Sequence, residues 1–280
     1  MSKFRDRYKK QKQDLMRRHE ESVANKDDTQ FVSVIDKSKI PEGIGIWKCP
    51  SGTTKHIIDY IPFYAGNNMP KLFEGNPDKA IKEGESIWNI DFYTHSHVGV
   101  LENPYICPAK TNGLPCPICE YLQENRGTYS KEEYSKRKAK RQTLQLIWVH
   151  DTNEEEAKGL QIWQIAYYFM ENNLKGIAER GKGGGTVPYF DPDIGKSVAF
   201  TSQIADSGWK FLHHRFEDRA EPIPDEILDQ SFALDSILKY ASYEEIYTVF
   251  YGSSPEVHET TSYEVNSEPE YTEEPEEELE

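Results

Sequence analysis

The chain has 280 residues, 36% of them hydrophobic, and a formal net charge of −15. That length allows one large domain or two small ones, with a core and long polar segments besides. No run of about 18 apolar residues occurs, so no membrane-spanning helix is expected, and the opening MSKFRDRYKKQKQDLMRRHEES has no apolar stretch of the secretory-leader kind.

In chain order, residues 1–28 read as a basic arm. Residues 1–20 hold eight Lys or Arg against three Asp or Glu, and Phe4, Tyr8 and Leu15 are too sparse for a core face. From residue 29 to 94, FVSVI, GIGIW, HIIDYIPFYA and SIWNIDFY are short apolar runs broken by Gly and Pro, which predicts strands. Residues 95–130 form a cysteine-rich segment. Ser130 and Glu133 make a capping box that opens a basic helix, SKEEYSKRKAKR. LQLIWVHD and GLQIWQI predict two strands joined by DTNEEEAK. In AYYFMENNLKGIAER, Ala166, Phe169, Met170, Leu174 and Ile177 recur at helical spacing. YFDPDIGKSVAF predicts a hairpin, with turn chemistry accounting for Asp191 and Asp193. GWKFLHHRF predicts a strand. Helices are expected at PDEILDQ, LDSILKY and SYEEIYTVF, the last with a Ser242–Glu245 capping box. Residues 256–280 hold eleven Glu and no Lys or Arg, so without them the −15 of the whole chain falls to −4. The tail from 253 onward has a disordered composition. A basic start and an acidic end are a signature of interaction tails. The pattern as a whole supports a β-rich, mixed α+β fold.

The segment THSHVGVLENPYICPAKTNGLPCPIC, residues 95–119, holds three of the four cysteines and two of the eight histidines. Cys116 and Cys119 form a C-x-x-C knuckle, rigidified by Pro117, and Cys107 can reach it from a facing strand end, with Thr111, Asn112 and Gly113 as the return loop. One His and three Cys complete a tetrahedral zinc set with no open position for water, so the ion is expected to be structural, one per chain. The fourth ligand is His95 or His97; two residues apart on a strand, they share a face and alternation does not separate them. Cys49 reads as an ordinary thiol. With three of four cysteines at metal spacing, a reducing compartment is expected rather than disulfides. No H-E-x-x-H, paired-carboxylate metal motif or phosphate-binding glycine loop occurs, so an enzyme is not expected.

Residues 131–141 hold six Lys or Arg against two Glu, and the chain is 12% aromatic with seventeen Tyr. Basic grooves lined by aromatic faces bind single-stranded nucleic acid, each stacked base contributing about 1–3 kcal/mol. The candidate rim is Lys110, Arg126, Lys136, Arg137, Lys138, Lys140 and Arg141. The candidate platforms are Tyr93, Tyr105 and Tyr121 beside the cysteines, and Trp148 after the basic stretch.

H-x-x-V-G at His95–Gly99, YIC at Tyr105–Cys107, CPICEYL at Cys116–Leu122 and the pair Lys140–Arg141 before LQLIWVHD resemble the single-stranded DNA-binding, helix-destabilising proteins of tailed bacteriophages of the T-even type. KGLQIWQIAYYFMENNL and FDPDIGKSVAF extend the resemblance, which runs from about residue 30 to 240. It implies an OB-fold-like core over residues 29–252 with an inserted zinc subdomain at about 95–145, flanked by disordered termini. It implies His95, Cys107, Cys116 and Cys119 as metal ligands, the H-x-x-V-G register favouring His95. It also implies Lys140 and Arg141 as phosphate contacts, cooperative self-association through residues 1–20, and replication and recombination proteins docking on residues 256–280. The setting would be the cytoplasm of an infected bacterial host. The arm departs from the T-even pattern: RYKKQKQ and MRRHEES stand in place of a short Lys-Arg-Lys-Ser-Thr motif. The alternative reading of the same features is an RNA-binding or transcription-associated zinc protein.

Overall fold

The computed structural model describes residues 33–69, 81–179, 184–205 and 208–252. The basic arm at 1–28 and the acidic tail at 253–280 lie outside the described residues. The described residues are mixed α and β, organised around one eight-stranded sheet and a separate two-stranded ribbon. In chain order the strands are β1 (Gly45–Ile46), β2 (Thr54–Ile61), β3 (Phe63–Tyr64), β4 (Ser86–Ile87), β5 (Ile90–Val98) and β6 (Asn103–Ile106). Two short helices follow, α1 (Pro108–Asn112) and α2 (Pro117–Glu124), then α3 (Lys131–Arg137). The second half is β7 (Lys140–Val149), α4 (Asn153–Glu156), β8 (Leu160–Ala166), α5 (Glu171–Ala178), β9 (Lys196–Ala205), β10 (Gly208–Asp218), α6 (Asp225–Leu228) and α7 (Tyr243–Tyr251). Among the described residues no helix is long and apolar enough to cross a membrane.

The long strand β7 organises the sheet. One of its edges pairs with β8 from Gln142 to Trp148. Its other edge is shared: β5 pairs with Lys140–Leu144, and β2 pairs with Leu146–Val149. The sheet therefore branches at Gln145, where one neighbour gives way to the next. The Gln145 side chain is fully buried there, and neither of its amide atoms has a partner. From β2 the sheet continues through β9 to β10, both antiparallel, while β1 adds a short parallel edge to β8.

Period-two alternation divides the apolar residues between two cores. Ile61 of β2, Leu144 and Leu146 of β7, and Leu160 and Ile162 of β8 face one side, packed with Phe63, Phe92, Leu234 and Ile237. Ile58 and Tyr60, Ile147 and Val149, and Trp163 and Ile165 face the other, with Met170, Leu174, Val198 and Phe200. Because β7 is covered on both faces, LQLIWV reads as a near-continuous apolar run interrupted by Gln145, the pattern of a doubly buried strand. Each fully buried Leu, Ile or Phe contributes roughly 1.5–3 kcal/mol. A third, smaller core joins Val98, Cys107, Cys116, Ile118 and Leu122 to Ile246 of α7.

Several expectations change in detail. The basic helix stops at Arg137, and Lys138 takes an extended conformation as its C-cap, so Lys140 and Arg141 open β7 instead of closing the helix. Its capping box is complete in both directions, as is that of α7 at Ser242–Glu245. YFDPDIGKSVAF is not a hairpin: a turn leads directly into β9. The Asp191 carboxylate accepts from the N–H groups of Asp193 and Ile194 at 2.9 and 3.0 Å. Gly195 is required in this turn, since a Cβ there would lie 2.2 Å from the Asp191 carbonyl oxygen. The helical spacing at 166–177 marks two pieces, a 3-10 turn at Tyr167–Phe169 and α5, and Ile177 is exposed. LDSILKY forms a 3-10 turn at Leu234–Ile237. Met170, Leu174, Leu234 and Ile237 are buried as their pattern predicts, and tertiary packing sets the local geometry.

Candidate metal centre

β5 and β6 bring the first two ligands together. His95 pairs with Tyr105 across this antiparallel ladder, and then the register slips, so that Val98 pairs with Asn103. The slip is a bulge at His97, whose φ is 57°. It rotates His97 out to solvent while His95 and Val98 both stay buried. The expectation that His95 and His97 share a face is thus overturned, because the strict alternation of a regular strand is lost at a bulge. Gly99 follows with a φ of 70°, and a Cβ on it would lie 2.6 Å from Val249 Cγ1 of α7. The glycine of H-x-x-V-G is therefore where the C-terminal helix rests on the centre.

Cys107 arrives just after β6, as the N-cap of α1; its backbone N–H donates to the Tyr93 carbonyl at 2.8 Å, and its Sγ accepts from the Lys110 N–H at 3.4 Å. Thr111 and Asn112 lie within α1, not in a return loop, and Gly113 closes it in the left-handed region. Cys116 is the N-cap of α2 with Pro117 in its first turn, where a missing N–H costs nothing, and Cys119 lies one turn on. Cys107 Sγ and Cys119 Sγ are 3.5 Å apart. His95 Nε2 lies 3.6 Å from Cys116 Sγ and 3.4 Å from Cys119 Sγ. All four ligand atoms fall within 4.8 Å of one another, a cluster that could hold a metal ion. None of the four cysteines is in a disulfide.

The second nitrogen of His95 fixes its role. Nδ1 lies 3.1 Å from the Arg137 carbonyl oxygen, so Nδ1–H donates there and Nε2 keeps its lone pair for the cluster, the arrangement that orients ligating histidines. Without an ion, burial lowers the His95 pKa, but hydrogen bonds and charge from Cys107 and Cys116 outweigh it and raise the value to about 10. Hydrogen bonds from Cys107 and Cys119 pull Cys116 far below an ordinary thiol, while those with Cys107 and then Cys116 push Cys119 far up. Without an ion the cluster thus holds thiolate charge and protons in one dry space, and a bound cation would displace those protons.

The candidate rim residues Lys110, Arg126, Lys136, Arg137, Lys138, Lys140 and Arg141 are all exposed. Lys136, Arg137 and Lys138 end α3, next to the carbonyl that holds His95. Arg141 is engaged: it donates to Asp91 at 2.5 Å, and its guanidinium lies 3.5 Å above the Tyr167 ring. Arg137 lies 4.8 Å above Tyr129. Tyr93 pairs with Arg141, and Tyr105 with His95, so both line the centre. Tyr121 accepts from the Tyr129 hydroxyl at 2.9 Å and packs edge-on against Phe250 of α7. Trp148 stands apart: seven residues along β7 from Arg141, roughly 23 Å at strand rise, it donates to the Glu156 carbonyl and packs on the main core. Sequence reasoning missed Tyr129, Tyr167 and the neighbouring Tyr168, which is 72% exposed. Their signal was weak, since each is one tyrosine among seventeen.

A scan against protein-family models finds no match for this chain, and a search of the curated proteins finds none either.

Proposed function

We propose that the chain is a sequence-nonspecific single-stranded DNA-binding protein with one structural zinc ion, serving replication, recombination and repair of a bacteriophage. The observation that carries the reading is the bond from His95 Nδ1 to the Arg137 carbonyl. It ties the metal cluster to the exposed end of α3, where Lys136, Arg137 and Lys138 are followed by Lys140 and Arg141. A cationic surface of this kind neutralises phosphates and releases counterions, and the half-exposed rings of Tyr93 and Tyr167 and the exposed ring of Tyr168 beside it offer faces for bases.

Zinc fits the cluster. With Zn–S about 2.3 Å and Zn–N about 2.0–2.1 Å, a tetrahedral site has ligand-to-ligand edges of roughly 3.5–3.8 Å, against the 3.4, 3.5 and 3.6 Å found among His95, Cys107, Cys116 and Cys119. When bound, the ion would fix these four ligands and hold no catalytic water. An OB-type core is part of the proposal; a single long strand that serves two sets of neighbours, as β7 does, supports it. The likeness of CPICEYL and its upstream Cys and His to the phage proteins supports it further. Residues 1–20 would then mediate contacts between protomers, and residues 256–280 would dock replication and recombination proteins.

Fluorescence titration of the zinc-loaded chain with oligo-dT at several salt concentrations tests the reading, with oligo-U and duplex DNA as competitors. Tight, strongly salt-dependent binding with oligo-dT preferred is expected. A preference for oligo-U would move the reading to RNA, and salt-independent or absent binding would end it.

A further inference from the structure

At the opposite end of β7 from the metal centre, three separate segments bring together a thiol, an imidazole and a carboxylate. Cys49 follows β1, His56 lies in β2, and Asp151 follows β7. Cys49 Sγ is 3.4 Å from His56 Nε2, and His56 Nδ1 is 2.5 Å from Asp151 Oδ2. Asp151 is itself held, because its other oxygen accepts from the Ile57 N–H at 2.9 Å. His56 is buried, with Trp47 edge-on at 5.3 Å and Phe200 at 5.0 Å. Cys49 is half-buried, between exposed Lys48 and Pro50.

This is the order nucleophile, base, orienting carboxylate, by which a weak nucleophile is activated. A histidine serving only as a strut is already satisfied here, since Nδ1 has Asp151 and Nε2 has the Ser202 hydroxyl at 2.8 Å. The thiol is a further partner at Nε2, placed where the chain surfaces. The titratable groups facing His56 are Asp151 and Cys49; β9 contributes the Ser202 hydroxyl and the Phe200 ring. Burial pulls the imidazole down, but the hydrogen bond to Asp151, then Cys49, raises it to about 9. Near neutral pH the ring is therefore protonated and presents an N–H to sulfur.

We propose that Cys49 is a reactive thiol activated by His56, which Asp151 orients, and that it exchanges with low-molecular-weight disulfides. In the exchange the Cys49 sulfur attacks one sulfur of the disulfide. The old S–S bond breaks as the new one forms, and the departing thiolate takes up the proton that His56 Nε2 held. One thiol and one disulfide give one mixed disulfide and one thiol, with no other oxidant or reductant.

The test uses the full zinc-loaded chain, glutathione disulfide at pH 7, and peptide mass spectrometry to follow the adduct at Cys49 alone. A thiol that is only packed is shielded by folding and reacts faster in urea; an activated one reacts faster when folded. The folded chain is expected to react about tenfold faster than the urea-unfolded chain, because the thiolate is the reacting form. Asp151→Asn, which keeps an oxygen for the Ile57 N–H but frees the imidazole, should lose most of that advantage. A folded rate below the unfolded one, or an unchanged rate in folded Asp151→Asn, overturns the proposal. Should Asp151→Asn fail to fold, the wild-type comparison still decides, and Ser202→Ala, which leaves sulfur as the remaining partner of Nε2, should react at least as fast as wild type; a loss would overturn it.

Discussion

Lys136, Lys138 and Lys140 give the sharpest test of the proposed binding surface. All three are exposed, and among the described residues none is in a salt bridge, unlike Arg141, which is paired with Asp91. Each is thus free to neutralise a phosphate. For single strands, each neutralised phosphate contributes about 0.7 to the slope of log affinity against log salt. Replacing all three by alanine should therefore flatten that slope by about 2.1. Between 50 and 200 mM salt, a fourfold range, wild type should lose roughly 18-fold more affinity than the triple variant. The fold should scarcely notice: only Lys136 lies in the last turn of α3, where a cation contributes about 0.3–1 kcal/mol. Titration with oligo-dT by tryptophan fluorescence at five salt concentrations measures both slopes. Parallel lines for variant and wild type would refute the assignment of this rim, whatever the absolute affinity.

Four further outcomes follow from particular groups. Purified chain should carry one zinc per molecule by elemental analysis, and Cys116→Ser should carry less and open the 95–141 region to protease; full occupancy in the variant would mean the ion sits elsewhere. Gly99→Ala places a methyl 2.6 Å from Val249 Cγ1 and 2.7 Å from the Val249 carbonyl oxygen at a φ of 70°. It should cost about 2–4 kcal/mol in urea denaturation, and adding Val249→Ala should recover only part, because the carbonyl remains. The His56 pKa, raised to about 9 from an ordinary 6.5, contributes stability that is fully present below pH 6.5 and is lost as pH rises through 9. That contribution, on the order of 3 kcal/mol, should vanish from the difference between wild type and Asp151→Asn in urea melts from pH 6 to 10. Deleting residues 256–280, with their eleven Glu, should raise oligo-dT affinity at low salt, and an unchanged affinity would rule out a tail that competes with DNA.

The cluster that could hold a metal ion was legible because it depends on residue types at short spacing, and three of its members fall within thirteen residues. The choice between His95 and His97 was not, because it depends on a bulge whose cause is the fit of Val98 and Gly99 against α7, a helix about 150 residues downstream. The same reason hid the branch at Gln145: nothing in LQLIWV says that its two halves serve different neighbours. Local signals did well where the chain alone decides, as at the Ser130–Glu133 and Ser242–Glu245 capping boxes. They failed where a charge run invited a longer helix, since Lys138 leaves α3 in order to start β7. The neighbours of Cys49 were not legible either, since His56 lies in β2 and Asp151 follows β7.

The charge of the centre argues for what the ion would do. A divalent cation with three thiolates and a neutral imidazole carries a net charge of −1, so it cannot itself attract DNA. Any effect of metal removal on binding must therefore come through position. The path is short: His95 holds the Arg137 carbonyl at 3.1 Å, Arg137 ends α3, and among the described residues the lysines on either side of it are in no salt bridge. Loss of the ion would release His95, then the end of α3, and spread those cations. Chelated protein should then bind oligo-dT weakly with a flattened salt slope, the outcome expected of the triple lysine variant, although every lysine is still present. A chelated chain that kept the full slope would show that the cations hold their places without the metal.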